Sequence, residues 1–98
     1  MNRIAVGVDP GVVAVSRDGL NAYVANQGGN SVSVVDTQAQ TLRTTFPVGE
    51  FPGGLTLGAD DSRLYVINEL SNDLSVVDAV EFQLMRAIHI HLSATIRL

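Results

Sequence analysis

The chain repeats its own sequence at a constant offset of 42 residues. Tyr23-Val24-Ala25-Asn26 returns as Tyr65-Val66-Ile67-Asn68, and the segment that ends at Asp36 returns as the segment that ends at Asp78. The offset is the same for the tyrosines, the asparagines and the aspartates. A fixed period of this length means that one supersecondary unit occurs twice and that each unit packs against its neighbours.

Each repeat predicts four short strands. They cover residues 12–16, 20–26, 31–36 and 42–48 in the first repeat, and residues 53–57, 63–68, 73–78 and 82–90 in the second. Valine dominates these runs, which favours strands over helices, and turn signals such as Asp18-Gly19 separate them. Four strands joined by short turns form an antiparallel meander, the unit of a β-propeller blade. We therefore predict an all-β protein with two four-stranded antiparallel propeller blades plus a terminal strand, an incomplete propeller.

The repeat also predicts where the units begin and end within a single partial propeller over residues 1–98. Residues 1–8 alternate apolar and other residues, as the last strand of a preceding blade would. Residues 9–49 form blade one and residues 50–91 form blade two. Residues 92–98 extend the terminal strand, because apolar and polar residues alternate without a break from Ile88 to Leu98.

Charge and composition exclude several classes of protein. The formal net charge is −4 and the six basic residues are scattered, so we expect neither a nucleic acid nor a membrane as partner. The chain has no cysteine, which removes disulfides, thiolate metal sites and cysteine nucleophiles. Residues 1–30 contain no apolar run of the signal-peptide type, and no stretch is long enough to span a membrane.

Two blades cannot close a propeller. Propellers typically have four to eight blades, and two blades leave two apolar sheet faces without a neighbour. Soluble proteins rarely expose apolar patches larger than a few hundred Å². The open faces therefore need further blades of a longer protein, or copies of this chain that assemble into a ring.

One edge of the blades is the predicted ligand-binding rim. In an antiparallel meander the loop from the fourth strand to the next blade lies on the same edge as the loop between the second and third strands. Glu50 and Glu69 could bind a cation there or act as an acid/base pair. The asparagines at 26, 30, 68 and 72 recur in both repeats, as turn-forming residues do. The predicted rim residues are Glu50, Glu69, Gln27, Asn30 and Asn72.

No catalytic residue, metal site or cofactor is predicted. None of the serines lies in a nucleophile-elbow sequence, and Pro10-Gly11-Val12-Val13 lacks the spacing and the lysine of a phosphate-binding loop. His89 and His91 share one face of a strand, as a pair of metal ligands would, but no third ligand lies near them in the sequence.

The motifs Tyr23-Val24-Ala25-Asn26 and Tyr65-Val66-Ile67-Asn68 resemble the repeat of the YVTN family of β-propellers. Ala25 and Ile67 replace the threonine of that repeat. The resemblance covers about residues 4 to 90 and implies propeller blades in an exported, surface-layer or periplasmic protein. The resemblance allows several functions, and the leading hypothesis is a non-catalytic scaffold for binding or protein interaction. Because related propellers include lactonases and parts of haem or quinone enzymes, the alternative is a fragment of a lactonase-like hydrolase or an oxidoreductase subunit.

Overall fold

The computed structural model describes residues 3–89, which form two four-stranded antiparallel sheets without a helix. Each sheet is a meander in which every strand pairs with its neighbours in sequence. The first sheet, blade one, contains β1 (Pro10–Val15), β2 (Asn21–Asn26), β3 (Ser31–Asp36) and β4 (Thr41–Pro47). The second sheet, blade two, contains β5 (Pro52–Leu57), β6 (Arg63–Asn68), β7 (Asp73–Asp78) and β8 (Gln83–His89). The predicted all-β class with two four-stranded blades is confirmed.

The repeat in the sequence is also a repeat in the backbone. Asn26 pairs with Ser31 across β2 and β3, and Asn68 pairs with Asp73 across β6 and β7. The first strand of each blade carries an irregularity after its proline, Pro10 in β1 and Pro52 in β5. A further irregularity lies in the third pairing of each blade. The two blades therefore share register as well as strand order.

Left-handed backbone conformations recur at four positions of the repeat. Asn30 and Asn72 have φ of 53° and 54°, which suits asparagine better than other residues with a Cβ atom. Gly19 has φ of 75° in the hairpin between β1 and β2, where the sequence predicted a tight turn. The equivalent pairs with positive φ are Asp9 and Phe51, Gly19 and Asp61, Asn30 and Asn72, and Gln40 and Phe82.

The two blades pack face to face in a consistent direction. We call the side of each blade that carries Tyr23 in blade one and Tyr65 in blade two its forward face, and the opposite side its rear face. The forward face of blade one packs on the rear face of blade two, and Phe82 lies 6.4 Å from Tyr23 between ring centroids. The shared core contains Tyr23, Val32, Val34 and Phe46 from blade one and Leu64, Val66, Val77 and Ala79 from blade two.

Residues 3–8, where the sequence predicts the last strand of a preceding blade, are not part of either sheet. Residues 3–9 form no strand, because a strand needs a neighbour to bind its backbone groups, and residues 3–9 pair with no strand here. Gly7 N instead donates a hydrogen bond to Asn26 Oδ1 at 3.1 Å. Membership of residues 1–8 in a preceding blade stays a prediction. The predicted extension over residues 92–98 lies outside the described residues.

Candidate functional site

The connection between the blades forms one end of the predicted rim. Residues 48–51 link β4 to β5, and both ends of this link bind Asn30, in the loop between β2 and β3. Val48 N donates to the Asn30 backbone oxygen at 3.0 Å, and Phe51 N donates to Asn30 Oδ1 at 3.0 Å. Asn30 therefore holds the linker through its left-handed backbone and its side chain together.

The same linker is held from the other side by the loop between β6 and β7. Leu70 N donates to the Glu50 backbone oxygen at 3.1 Å, and Glu69 N donates to that of Phe51 at 3.0 Å. Glu50 N donates to Ser71 Oγ at 2.9 Å. The structure thus brings Asn30, Glu50 and Glu69 to one edge, with the side chains of both glutamates exposed to solvent.

Gln27 and Asn72 occupy the repeat positions that correspond to Glu69 and Asn30. Gln27 N donates to the Asp9 backbone oxygen at 3.0 Å, the same bond that Glu69 makes to Phe51. The side chains of Gln27 and Glu69 each lie over a glycine of the first strand. A Cβ atom added to Gly11 would lie 2.4 Å from Gln27 Oε1, and one added to Gly53 would lie 2.0 Å from Glu69 Oε1.

Asn26 and Asn68 are not the turn-forming residues that their recurrence predicted. Both end the second strand of a blade with a buried amide, because each side chain ties neighbouring strands together. Asn26 Nδ2 donates to Ser31 Oγ and to Ser33 Oγ, at 3.1 and 2.9 Å. Ser33 in turn bonds to Thr45 at 3.0 Å. The serine that recurs at 33 and 75 was the signal in the sequence for this network.

In blade two the equivalent network contains a carboxylate. Asn68 Nδ2 donates to Asp73 Oδ1 at 2.8 Å and to Ser75 Oγ at 2.9 Å. Ser71 Oγ also donates to Asp73 Oδ1, at 2.9 Å. Among the described residues Asn68 Oδ1 is the buried side-chain atom that has no hydrogen-bond partner. The network places one acidic side chain directly beneath the linker that carries Glu50.

The loop segments of the rim carry acidic side chains and no lysine or arginine. Its segments, residues 7–11, 26–31, 48–51 and 68–73, contain Asp9, Glu50, Glu69 and Asp73 and neither lysine nor arginine. Within residues 3–89 no group of three or more His, Cys, Asp or Glu side chains is placed to hold a metal ion. His91, one of the histidines considered above, lies outside the described residues. The arrangement suits a partner with positive charge.

The opposite edge of the blades uses its aspartates for turns. Asp36 Oδ1 accepts hydrogen bonds from Gln38 N and Ala39 N, both at 3.0 Å. Asp78 Oδ1 accepts from Val80 N and Glu81 N at 2.8 and 3.1 Å. The bond from Ala39 N lowers the pKa of Asp36, and the bond from Glu81 N lowers the pKa of Asp78. The Asp36 and Asp78 carboxylates therefore stabilise turns of the fold.

Within residues 3–89 no helix is long and apolar enough to cross a membrane.

Four-stranded meanders that pack forward face on rear face define part of a β-propeller. The family described as "Lactonase, 7-bladed beta-propeller" matches residues 4–84, and the chain belongs to this family. No curated protein matches the chain.

Solved structures with the same fold come from several propeller proteins. Hydrazine synthase from Kuenenia stuttgartiensis is 29% identical with a TM-score of 0.82, over 92% of this chain and 26% of that chain. A functionally unknown protein from Desulfotomaculum acetoxidans is 27% identical with a TM-score of 0.71, over 83% and 27%. Dihydro-heme d1 dehydrogenase NirN is 24% identical with a TM-score of 0.73, over 80% and 17%. The chain spans about a quarter of the first of these structures.

Proposed function

We propose that this chain is part of a non-catalytic β-propeller scaffold of the YVTN repeat type, which binds a cationic protein segment at the rim around Glu50 and Glu69. One observation carries the proposal: the rim keeps one backbone geometry in both blades but carries different side chains. Asp9 and Phe51 share a left-handed conformation and the same hydrogen bond to the next loop. A rigid frame with variable side chains is how repeat proteins build binding surfaces.

The two blades differ at many positions, and several of these positions lie in the loops of the rim. A residue whose backbone is fixed by the fold is free to vary where its side chain meets solvent. Such variation gives each blade its own contact chemistry without any cost to the sheet. The pairs that differ in the rim loops are Val8 and Glu50, Asp9 and Phe51, Gln27 and Glu69, Gly28 and Leu70, and Gly29 and Ser71.

The charge of the rim supports a cationic partner. Glu50 and Glu69 are exposed, and the loops that carry them hold no lysine or arginine to neutralise them. Complementary charge across an interface steers encounter and selects partners. Arginine-containing peptides match carboxylates through paired hydrogen bonds. A surface-exposed or exported setting for the whole protein follows from the YVTN resemblance and is part of the proposal.

Peptide arrays test this function. The probes are arginine-rich peptides and the same peptides with glutamate in place of arginine, at low and high salt. We expect the chain to bind the arginine set, binding to weaken with salt, and the double variant Glu50→Gln/Glu69→Gln to lose at least tenfold in affinity. Glu81→Gln, the same change on the opposite edge, is the control. Equal binding by the double variant, or no preference for arginine, would refute the proposal.

One alternative belongs to another class, and the names of relatives are the reason to test it. The matched family is described as a lactonase, and two structural neighbours carry enzyme names. The chain would then be a fragment of a lactonase-like hydrolase or of an oxidoreductase subunit. Incubation of the chain with simple γ- and δ-lactones in a pH-stat separates the two readings. Acid release above the buffer rate, abolished by Glu50→Gln or Glu69→Gln, would favour the hydrolase over the scaffold.

A further inference from the structure

We propose that the isolated chain assembles head to tail with copies of itself, the forward face of blade two in one copy covering the rear face of blade one in the next. This inference concerns assembly and does not depend on what the rim binds. Three or four copies would close a ring of six or eight blades, within the range that propellers adopt. The interface is heterologous, so a rotation that closes is required.

The contact between blade one and blade two within one copy has the geometry that we propose for the interface between copies. Inside one copy, the forward face of blade one already packs on the rear face of blade two, with Tyr23 and Val34 on one side and Val66 and Val77 on the other. The two unpaired faces present the same residue types at the equivalent positions. Tyr65 and Val76 lie on the forward face of blade two, and Val24 and Val35 lie on the rear face of blade one. Val24, Val35 and Val76 are already buried in the single chain, so the area that assembly would newly cover lies at the margins of the two faces. The interface between copies would therefore continue the one within the chain.

Apolar side chains at the margins of both faces are exposed in the single chain. Val13 on the rear face of blade one is 61% exposed, whereas its equivalent Leu55 is packed against the shared core. Ile88 on the forward face of blade two is 42% exposed, whereas its equivalent Phe46 is 6% exposed. The difference between each pair is the presence of a neighbouring blade. Assembly would cover Val13 and Ile88 in the way that Leu55 and Phe46 are covered within the chain. This burial of apolar surface is the hydrophobic gain of assembly.

The backbone at Asp9 and Asn72, which would meet between copies, has the conformation found at Phe51 and Asn30, which meet between the two blades of one copy. Asp9 has φ of 60° and Phe51 has φ of 54°, and each accepts a bond at 3.0 Å from the loop that follows β2 or β6. Asn72 has φ of 54°, as Asn30 has 53°. Within the chain Phe51 N donates to Asn30 Oδ1. Between copies the same bond would run from Asp9 N to Asn72 Oδ1. Residues 3–5 would then lie beside β8 of the other copy and not in the place of its last strand, because residues 87–89 of β8 already fill that place.

Mixing two variants tests the head-to-tail arrangement. Val13→Glu blocks the rear face of blade one, and Ile88→Glu blocks the forward face of blade two. Both side chains are more than two-fifths exposed, so the fold tolerates the charge. Val15→Glu, on the same face as Val13 and 55% exposed, is a second rear-face variant. Val80→Glu is the matched control, because Val80 is 67% exposed in a turn where the first repeat carries the polar Gln38.

Light scattering after gel filtration gives the outcome. We expect the unmodified chain and Val80→Glu to have three or four times the 10.4 kDa mass of one chain. Each face variant alone should be a monomer with unchanged β-sheet circular dichroism, and an equimolar mixture of the two should form a 1:1 dimer. A folded monomer for the unmodified chain, or disordered aggregate, would overturn the proposal. So would a face variant that dimerises alone, or a mixture that stays monomeric.

Discussion

Asn26 connects three segments of the chain through a single buried side chain. It is fully buried and makes hydrogen bonds to Gly7, Ser31 and Ser33. Asn26→Ala would leave the buried Ser33 hydroxyl and the Gly7 amide short of a partner, at a cost of about 1–3 kcal/mol in the free energy of unfolding. Urea denaturation measures the loss.

Asn21→Ala is the control for that experiment, because Asn21 lies on the same strand. Asn21 Oδ1 accepts one bond from Arg43, an exposed side chain, so we expect a change within about 0.5 kcal/mol. Equal losses for Asn21→Ala and Asn26→Ala would show that the buried amide network contributes nothing beyond strand propensity.

A left-handed backbone favours glycine at one turn, whereas an alanine fits at another. Gly19 has φ of 75° with no atom near the place of a Cβ, so Gly19→Ala is strained by its backbone alone. We expect it to destabilise the fold by about 1 kcal/mol. A Cβ on Gly58 would meet neighbours at 3.6–3.9 Å, ordinary contact distances, so Gly58→Ala should be neutral or stabilising. Thermal melts of the two variants should differ in sign or clearly in size, and identical shifts would contradict the argument.

The turns that begin at Asp36 and Asp78 make the stability of the fold depend on pH. The pKa of Asp36 and that of Asp78 are lowered from 3.8, first because backbone amides donate to the charged carboxylates. A lowered pKa means stabilisation that is present above the unfolded pKa and is lost as the pH falls through the folded pKa, below about 4. Asp36→Asn/Asp78→Asn keeps an acceptor that does not titrate.

The double variant should therefore lose less thermal stability than the unmodified chain when the pH is lowered from 7 to 3. Melting temperatures by circular dichroism at both pH values measure the difference. The variant also lacks the 3.0 Å ion pair between Asp36 and Arg43, so at pH 7 we expect it to be equally or slightly less stable. An unchanged drop between pH 7 and pH 3 would mean that other carboxylates govern acid unfolding.

Strand positions followed from the sequence because local pattern and repeat agree. The eight strands lie within two residues of their predicted bounds, since valine runs and turn residues act locally. The strand over residues 1–8 stays a prediction: residues 3–9 pair with no strand of the described chain, and a local pattern does not show which neighbour a strand has. The buried bonds of Asn26 and the meeting of Asn30 with the 48–51 linker depend on packing across strands. The sequence predicted the shared rim but not these contacts.

At the scale of the molecule the two blades depend on each other for a core. Blade one supplies one half of the apolar cluster and blade two the other half, so neither sheet buries its inner face alone. A hydrogen bond from Arg17 N to Asp61 Oδ2, at 2.6 Å, joins the blades at the edge opposite the rim. Repeat units coupled through such interfaces unfold together when the interface term is large. We therefore expect one cooperative transition.

The fluorescence of Tyr23 reports the unfolding of blade one and so tests this coupling. The chain has two tyrosines and no tryptophan, so Tyr65→Phe leaves Tyr23 as the reporter of blade one. In that background Leu64→Ala removes a fully buried side chain from blade two, which should cost about 2–5 kcal/mol. If the core is shared, Tyr23 fluorescence and circular dichroism must both shift to the same lower urea midpoint.

Leu70→Ala, at a leucine that is 67% exposed in the rim loop, should leave both midpoints in place. A Tyr23 midpoint that ignores Leu64→Ala would mean that the blades unfold independently, and the internal interface could then no longer serve as the template for one between copies.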